Sequence, residues 1–186
     1  MKKNNILTFL ILWTFILMII CPLHPEDPPS FEQPVVITSA GQSAEVQLAS
    51  VLAKRAGLNY SLSKTATARD IADVKTIALV IGTSLKGLGA AGLDMSQENE
   101  RVSSLIEAAQ QLNIPILCLH LGGEQRRGIL SDQMIKTVLP FAQHAIVVKS
   151  GNKDGLFTEI CNTHSIPLIE VERAADALEP LKNAFF

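Results

Sequence analysis

Several signatures of common function classes are missing from this chain of 186 residues. Its 16 Lys and Arg nearly balance its 18 Asp and Glu, and no basic stripe is visible, so we expect no nucleic-acid partner. Three cysteines and four scattered histidines do not have the spacing of a disulfide framework or a metal site, and we expect no metal and no cofactor. The pattern G-x-x-x-x-G-K-[ST] is absent, which argues against a P-loop nucleotide site.

The N-terminus combines a basic start with the longest apolar run of the chain. Lys2 and Lys3 precede an uncharged stretch over residues 6–20, and proline-rich chain follows it. This arrangement is typical of an export signal, although a run extended over residues 6–23 could also serve as an uncleaved membrane anchor. We therefore predict a signal peptide or anchor at residues 1–21, a Pro-rich linker at 22–33 and one domain at 34–186. The domain is expected to be exported, either periplasmic or on the cell surface, and lipidation of Cys21 stays open.

From residue 34 onward, short apolar runs alternate with helical patterns. Alternating elements with apolar strands predict a parallel sheet that is covered on both faces. We predict an α/β fold, a three-layer sandwich around a mainly parallel sheet of five to six strands, in Rossmann-like or flavodoxin-like order. The predicted strands cover residues 35–38, 59–63, 76–82, 114–120, 145–149 and 166–171. The predicted helices cover residues 43–56, 67–73, 96–112, 131–139, 155–163 and 174–184.

The loops that follow the strands are rich in Gly, Ser, Lys and Arg, whereas the loops at the opposite edge are short and plain. Ligands of such sheets bind beyond the carboxyl ends of the strands, so the loops at 39–43, 83–94, 121–128 and 150–155 are the expected site. The ligand-binding candidates are Ser39, Gln42, Ser43, Lys86, Gly87, Gly89, His120, Gly122, Gly123, Arg126 and Arg127.

Gly87, Gly89 and Gly92 form a literal G-x-G-x-x-G. A dinucleotide fingerprint needs its first glycine in the turn that leaves a strand and its third inside the next helix. Here the glycines come too late after the strand and too early before the helix predicted near residue 96. We predict a flexible loop whose Lys86 can meet a negative group, with a plain surface turn as the alternative.

Residues 40–43, Ala-Gly-Gln-Ser, resemble the nucleophile block of carbohydrate esterases, in which Gly-Gln-Ser-Asn follows the first strand. The resemblance implies Ser43 as a nucleophile, and His120 is the histidine most able to act as its base. Ala44 stands in place of the Asn, and the family's Asp-x-x-His is missing. We favour the alternative that Ser43 caps the first helix. His120 could equally be a partly buried residue at a strand end that is hydrogen-bonded to a carbonyl.

Arg126 and Arg127 lie between glycines and could offer a guanidinium to a carboxylate or phosphate. Both cannot easily point inward, so one is expected to be solvated or paired with Glu124. Cys118 in an apolar run and Cys161 on an apolar helix face are expected to be buried, inert thiols.

Three stretches, at residues 84–94, 120–128 and 147–157, together resemble an uncharacterised family of exported bacterial proteins known only as a domain of unknown function. The resemblance extends from residue 34 to about residue 181. It implies a Rossmann-like α/β domain behind a signal or anchor, and it supplies no activity and no catalytic residue.

These observations favour a non-catalytic, extracytoplasmic domain that binds a small anionic or polar metabolite. The alternatives are a serine esterase that uses Ser43 and a surface-tethered protein-interaction module.

Overall fold

The computed structural model of the protein describes residues 31–186, so the predicted signal or anchor and most of the predicted linker lie outside the described residues. Six strands form one sheet in the order β2-β1-β3-β4-β5-β6, and every neighbouring pair is parallel. The prediction of a mainly parallel, flavodoxin-like sheet is confirmed. The strands are β1 (Val35–Ala40), β2 (Tyr60–Leu62), β3 (Thr76–Ile81), β4 (Ile116–His120), β5 (His144–Val148) and β6 (Leu168–Val171).

Within residues 31–186, six α-helices accompany the sheet. They are α1 (Glu45–Ala56), α2 (Leu85–Ala90), α3 (Met95–Leu112), α4 (Ile129–Val138), α5 (Leu156–His164) and α6 (Leu178–Asn183). Because successive strand residues point to opposite faces, β3 sends Ile77 and Leu79 to one core and Ala78 and Val80 to the other. Helices α3, α4 and α5 cover the first core, and α1 and α6 cover the second. The result is the predicted three-layer sandwich.

Helix α3 shows how the sequence specifies its elements. Asp94 accepts a hydrogen bond from the Gln97 amide, and the Gln97 side chain accepts one from the Asp94 amide, which forms a capping box. Asn113 ends the helix in the left-handed conformation at φ 53°. The helix begins at Met95, close to the predicted start at residue 96, and ends at the predicted residue 112.

The prediction of a loop throughout residues 83–94 is wrong. This stretch contains the short helix α2, in which the Ser84 side chain accepts from the Gly87 amide at 3.1 Å. Its glycines lower the helix propensity of this stretch, but the Ser84 cap and the burial of Leu88, which is 2% exposed, stabilise the helix. The predicted last helix is also divided, because α6 begins only at Leu178, after a separate 3-10 turn at Ala174–Ala177.

The described chain begins at the amino edge of the sheet. The Phe31 amide donates to the Ala184 carbonyl at 2.8 Å, and the ring centroids of Phe31 and Phe185 are 5.7 Å apart. Phe31 is thus already packed into the domain, although the predicted linker extends to residue 33. Among residues 31–186, none of the helices has the length and apolar character needed to cross a membrane.

The two cysteines of the described chain are free and buried, as predicted. Burial raises the pKa of the Cys161 thiol to about 11 and raises the pKa of the Cys118 thiol as well. Because the thiolate is the reactive form, both thiols are inert near neutral pH.

His144 provides a test of the core by pH. Its side chain is buried, its two ring nitrogens have no hydrogen-bonding partner in residues 31–186, and burial lowers its pKa. The unfolded chain therefore binds this proton more readily, and the free energy of unfolding should fall as the pH drops from 7 towards 5. One such group contributes a slope of at most about 1.4 kcal/mol per pH unit.

Urea unfolding across this pH range checks the expectation. His144→Leu should decline less steeply than the wild type, and substitution of the exposed His164 by Leu should leave the slope unchanged. Equal slopes for His144→Leu and the wild type would contradict the role given to His144.

Candidate functional site

Three of the predicted loops meet at the carboxyl edge of the sheet. They border one cleft of about 590 Å³ above the end of β1. The β1–α1 turn, the start of α2 and the 3-10 turn after β4 all contribute, together with chain that follows β2. The lining residues are Gln42, Ser43, Ala44, Lys64, Thr65, Ser84, Lys86, Gly87, Ala90, Ala91 and Arg126.

The floor of the cleft is the turn after β1. Gly41 and Gln42 both have positive φ, 105° and 58°, and the second value is uncommon for a residue with a side chain. The Ser84 amide donates to the Gly41 carbonyl at 2.8 Å, which joins this turn to the one after β3. A Cβ atom at Gly87 would collide with the Gln42 carbonyl oxygen, so α2 can approach this closely only with glycine there.

A buried carboxylate holds the turn in place. Glu98, in the first turn of α3, is fully buried, and its Oε1 accepts from the Gly41 amide at 2.8 Å and from Gln42 Nε2 at 3.1 Å. Arg101 pairs with the same carboxylate at 2.8 Å. The Arg101 guanidinium also donates to the Ala66 and Ser39 carbonyls, at 2.8 and 2.5 Å. Glu98 and Arg101 thus fix the backbone on which the cleft is built.

Neither Glu98 nor Arg101 was among the residues predicted from the sequence. A signal was present, because Glu98 lies four residues before Val102 and seven before Leu105, on the same face of the helix as the apolar stripe. A charge on a buried stripe needs a partner, and Arg101 one turn later supplies it.

Ser43 does not cap the first helix, so that prediction is wrong. The residue at the cap is Ala44, no side chain completes the cap, and the helix starts at Glu45. Ser43 is 2% exposed, and its Oγ has no well-formed hydrogen bond within residues 31–186. A buried hydroxyl, which also lies near the Glu45 carboxylate, therefore borders the cleft at the start of α1.

Arg126 lines the cleft and is held by Glu45. Its Nε donates to both carboxylate oxygens, at 2.8 and 3.0 Å, and its side chain lies across Gly122, where a Cβ atom would collide with Arg126 Cγ. Partial burial by itself would raise the Glu45 pKa, but the contacts with Arg126, the Ser43 hydroxyl and the Glu45 backbone amide together outweigh it, so the Glu45 pKa is lowered. Among residues 31–186, the two terminal nitrogens of Arg126 have no hydrogen-bond acceptor.

Arg127 has a different role from its neighbour. It pairs with Asp132 and Asp154, each at 2.7 Å, and donates to the Gly151 carbonyl. Asp154 raises the pKa of the Arg127 guanidinium, and Arg127 lowers the pKa of Asp154 in return. Arg127 therefore joins neighbouring loops and does not line the cleft. The expected partner Glu124 pairs instead with Lys153, at 2.5 Å.

His120 lies inside the domain, at 1% exposure, where its ring is 4.9 Å from that of Phe157. Nδ1 lies 3.0 Å from the Ile81 carbonyl oxygen and Nε2 lies 3.2 Å from that of Gly123. Burial lowers its pKa. Of the two interpretations of His120, a base for Ser43 or a buried residue at a strand end, the structure fits the second.

The remaining candidates also divide into residues that line the cleft and residues that do not. Lys86 and Gly87 border the cleft with Gln42 and Ser43. Ser39 is fully buried in β1, and Gly122 and Gly123 accommodate the side chains of Arg126 and Ser150. Gly89 is absent from the lining of the cleft. Within residues 31–186, no three His, Cys, Asp or Glu side chains come together as metal ligands would.

Residues 32–185 match the family described as "Domain of unknown function (DUF6305)". The chain belongs to this family. The predicted membership in a domain of unknown function, which was based on three sequence stretches, is thereby confirmed over residues 32–185.

No curated protein matches the chain. Among solved structures, the DUF6305 domain is similar to a GDSL-like lipase from Bacteroides thetaiotaomicron VPI-5482, with a TM-score of 0.35 and 8% identity over 86% of this chain and 76% of that one. It is also similar to the SGNH-hydrolase family esterase AlinE4, with a TM-score of 0.27 and 13% identity over 73% of each chain. A point mutant of the same esterase gives a TM-score of 0.29 at 13% identity over 73% of each chain.

The buried pair under the cleft predicts a large effect on stability. Glu98→Ala removes the acceptor for Gly41 and Gln42 and leaves Arg101 without its carboxylate. Losing one partner of a buried pair costs roughly 3–5 kcal/mol.

Urea unfolding measures this cost. Glu100→Ala, at an exposed position of the same helix, is the matched control and should change the free energy of unfolding by less than about 0.5 kcal/mol. Equal effects of the two substitutions would show that the Glu98 contacts contribute little.

Proposed function

We propose that the domain binds a small organic anion in the cleft at the carboxyl edge, and that it does so outside the cytoplasm. The observation that carries the proposal is the charge of the lining. Lys64, Lys86 and Arg126 border the cleft, and no Asp or Glu is among the lining residues. The Glu45 carboxylate behind Arg126 offsets one of the three positive charges. A surplus of positive charge in a concave site favours an anionic ligand.

Arg126 supports the same conclusion by its geometry. Glu45 binds its Nε, which fixes the guanidinium and leaves the two terminal nitrogens without acceptors among the described residues. Two parallel N–H donors match the oxygens of a carboxylate or a phosphate. Since Glu45 already orders this side chain, less conformational entropy is lost when an anion binds.

The start of α1 adds donors of another kind. A helix N-terminus carries partial positive charge, and α1 lacks a side-chain cap there. The buried Ser43 hydroxyl lies at this position without a well-formed hydrogen bond in the described chain. An anion in the cleft would accept from this hydroxyl, which otherwise lies near the Glu45 carboxylate.

The serine-esterase alternative needs a base beside Ser43. Both ring nitrogens of His120, the predicted base, face backbone carbonyls, and the ring is buried under Gly151. The carboxylate near Ser43 is Glu45, which is already paired with Arg126. Binding without catalysis is therefore the stronger hypothesis, and a surface-tethered interaction module is the third.

Location outside the cytoplasm belongs to the same proposal and depends on the sequence of residues 1–21. The apolar run would serve as an export signal or, over residues 6–23, as an anchor.

Anion binding can be measured by the thermal unfolding midpoint in phosphate, acetate and citrate at constant ionic strength. At least one of these should raise the midpoint, because a ligand at 100 times its Kd stabilises a protein by about 2.7 kcal/mol. Lys86→Gln and Arg126→Lys should each weaken binding by about tenfold, since each removes a charge-assisted contact. Lys136→Gln is the matched control, because Lys136 is exposed on α4 and does not line the cleft. Equal stabilisation of the four proteins would refute the proposed site.

Ser43→Ala separates binding from hydrolysis. We expect the wild type to hydrolyse p-nitrophenyl acetate no faster than the Ser43→Ala variant does. A measurable turnover that disappears only in Ser43→Ala would favour the esterase.

A further inference from the structure

The side chain of Gln42 is fixed by two hydrogen bonds beneath the cleft. Its Nε2 donates to the Lys64 carbonyl at 3.0 Å and to Glu98 Oε1 at 3.1 Å. Because both partners are acceptors, the nitrogen of the amide must face them, and the orientation of the amide is settled. Both donors of the amide are then in use.

The oxygen of the same amide is in the opposite situation. None of the residues from 31 to 186 donates to Gln42 Oε1, although Gln42 is only 6% exposed and lines the cleft. A carboxylate or phosphate oxygen carries no proton to offer this acceptor and would be repelled by it. The group that fits Gln42 Oε1 is an O–H or N–H donor.

The cleft thus has two kinds of polar wall. Lys86, Arg126 and the Ser43 hydroxyl can donate, whereas Gln42 Oε1 can only accept. The volume of about 590 Å³ is far larger than an inorganic anion needs and lies in the ordinary range for organic ligands. A ligand that satisfies both walls carries an anionic group and a hydroxyl on one small framework.

We infer that the ligand is a hydroxylated organic anion, a sugar acid or a sugar phosphate, whose hydroxyl donates to Gln42 Oε1 while its charged group meets Lys86 and Arg126. This inference rests on the proposed function, which it narrows to a class of ligand. Glu98 is then a positioning residue, because its contact with Nε2 fixes the orientation of the amide.

Calorimetric titration of the full wild-type domain with three six-carbon probes tests the inference. Gluconate has both the charge and the hydroxyls, hexanoate has only the charge, and sorbitol has only the hydroxyls. Gluconate should bind about tenfold or more tightly than hexanoate, because a site built for a hydroxyl discriminates against an analogue without one. Sorbitol should bind more weakly than gluconate. Glucose 6-phosphate in parallel shows whether the site prefers a phosphate or a carboxylate as the anionic group.

The outcomes separate the two proposals. Hexanoate binding as tightly as gluconate would overturn the inference and leave anion binding intact. Absence of binding by gluconate, hexanoate and glucose 6-phosphate alike would overturn the proposed function itself.

Gln42→Leu tests the residue directly, with Gln47→Leu as the control at an exposed position of α1. The ratio of gluconate to hexanoate affinity should fall towards one in Gln42→Leu and stay at the wild-type value in Gln47→Leu. An unchanged ratio in folded Gln42→Leu would remove Gln42 from the site. If Gln42→Leu does not fold, the probe comparison in the wild type still decides the class of ligand.

Discussion

The buried carboxylate of Glu98 is the interaction on which the rest of the carboxyl edge depends. It lies at the start of α3 and accepts from the backbone of Gly41 and the side chain of Gln42, so it ties the covering helix to the turn after β1. That turn pairs with the one after β3, and α2 packs on the Gln42 carbonyl. A buried charge is costly unless it is fully paired, and Arg101 completes the pairing. The shape of the cleft is therefore determined by groups that lie underneath it.

The adjacent arginines show how one short motif is divided between structure and surface. Arg127 is committed to two aspartates and a carbonyl, and it joins the loops after β4 and β5. In Arg126, only Nε has a partner in the described chain, and the residue lines the cleft. Glycines allow both arrangements, since the Arg126 side chain crosses Gly122 and the Ser150 hydroxyl reaches the space beside Gly123. Polar residues at the carboxyl edge thus either join loops, as Arg127 does, or line the cleft, as Arg126 does, and the hydrogen-bond partners show which.

The fold was predictable because its signals are periodic and local. Apolar strands such as β3 and the helical patterns between them, such as that of α3, indicated the layers. The loops of the cleft and some of its lining residues, such as Lys86 and Arg126, were predictable, but the contacts that hold them in place were not. Helix α2 was missed because glycines lower helix propensity and the burial of Leu88 is a tertiary effect. The cap predicted at Ser43 was wrong, because the helix begins at Glu45. The contact of Gln42 with Glu98, 56 residues further along the chain, was missed as well. Contacts at such separation leave no local pattern.

Strand β1 connects the two ends of the molecule. Phe31 is fastened to Ala184 and Phe185 close to where β1 begins, and the cleft opens where β1 ends. Six strand residues at about 3.3 Å each separate these points by roughly 20 Å. Any tether that precedes Phe31 would therefore hold the domain by its amino edge and leave the mouth of the cleft pointing away from the point of attachment. The proposed ligand would then reach the cleft from the surrounding medium, and the domain could stay attached while that ligand exchanged.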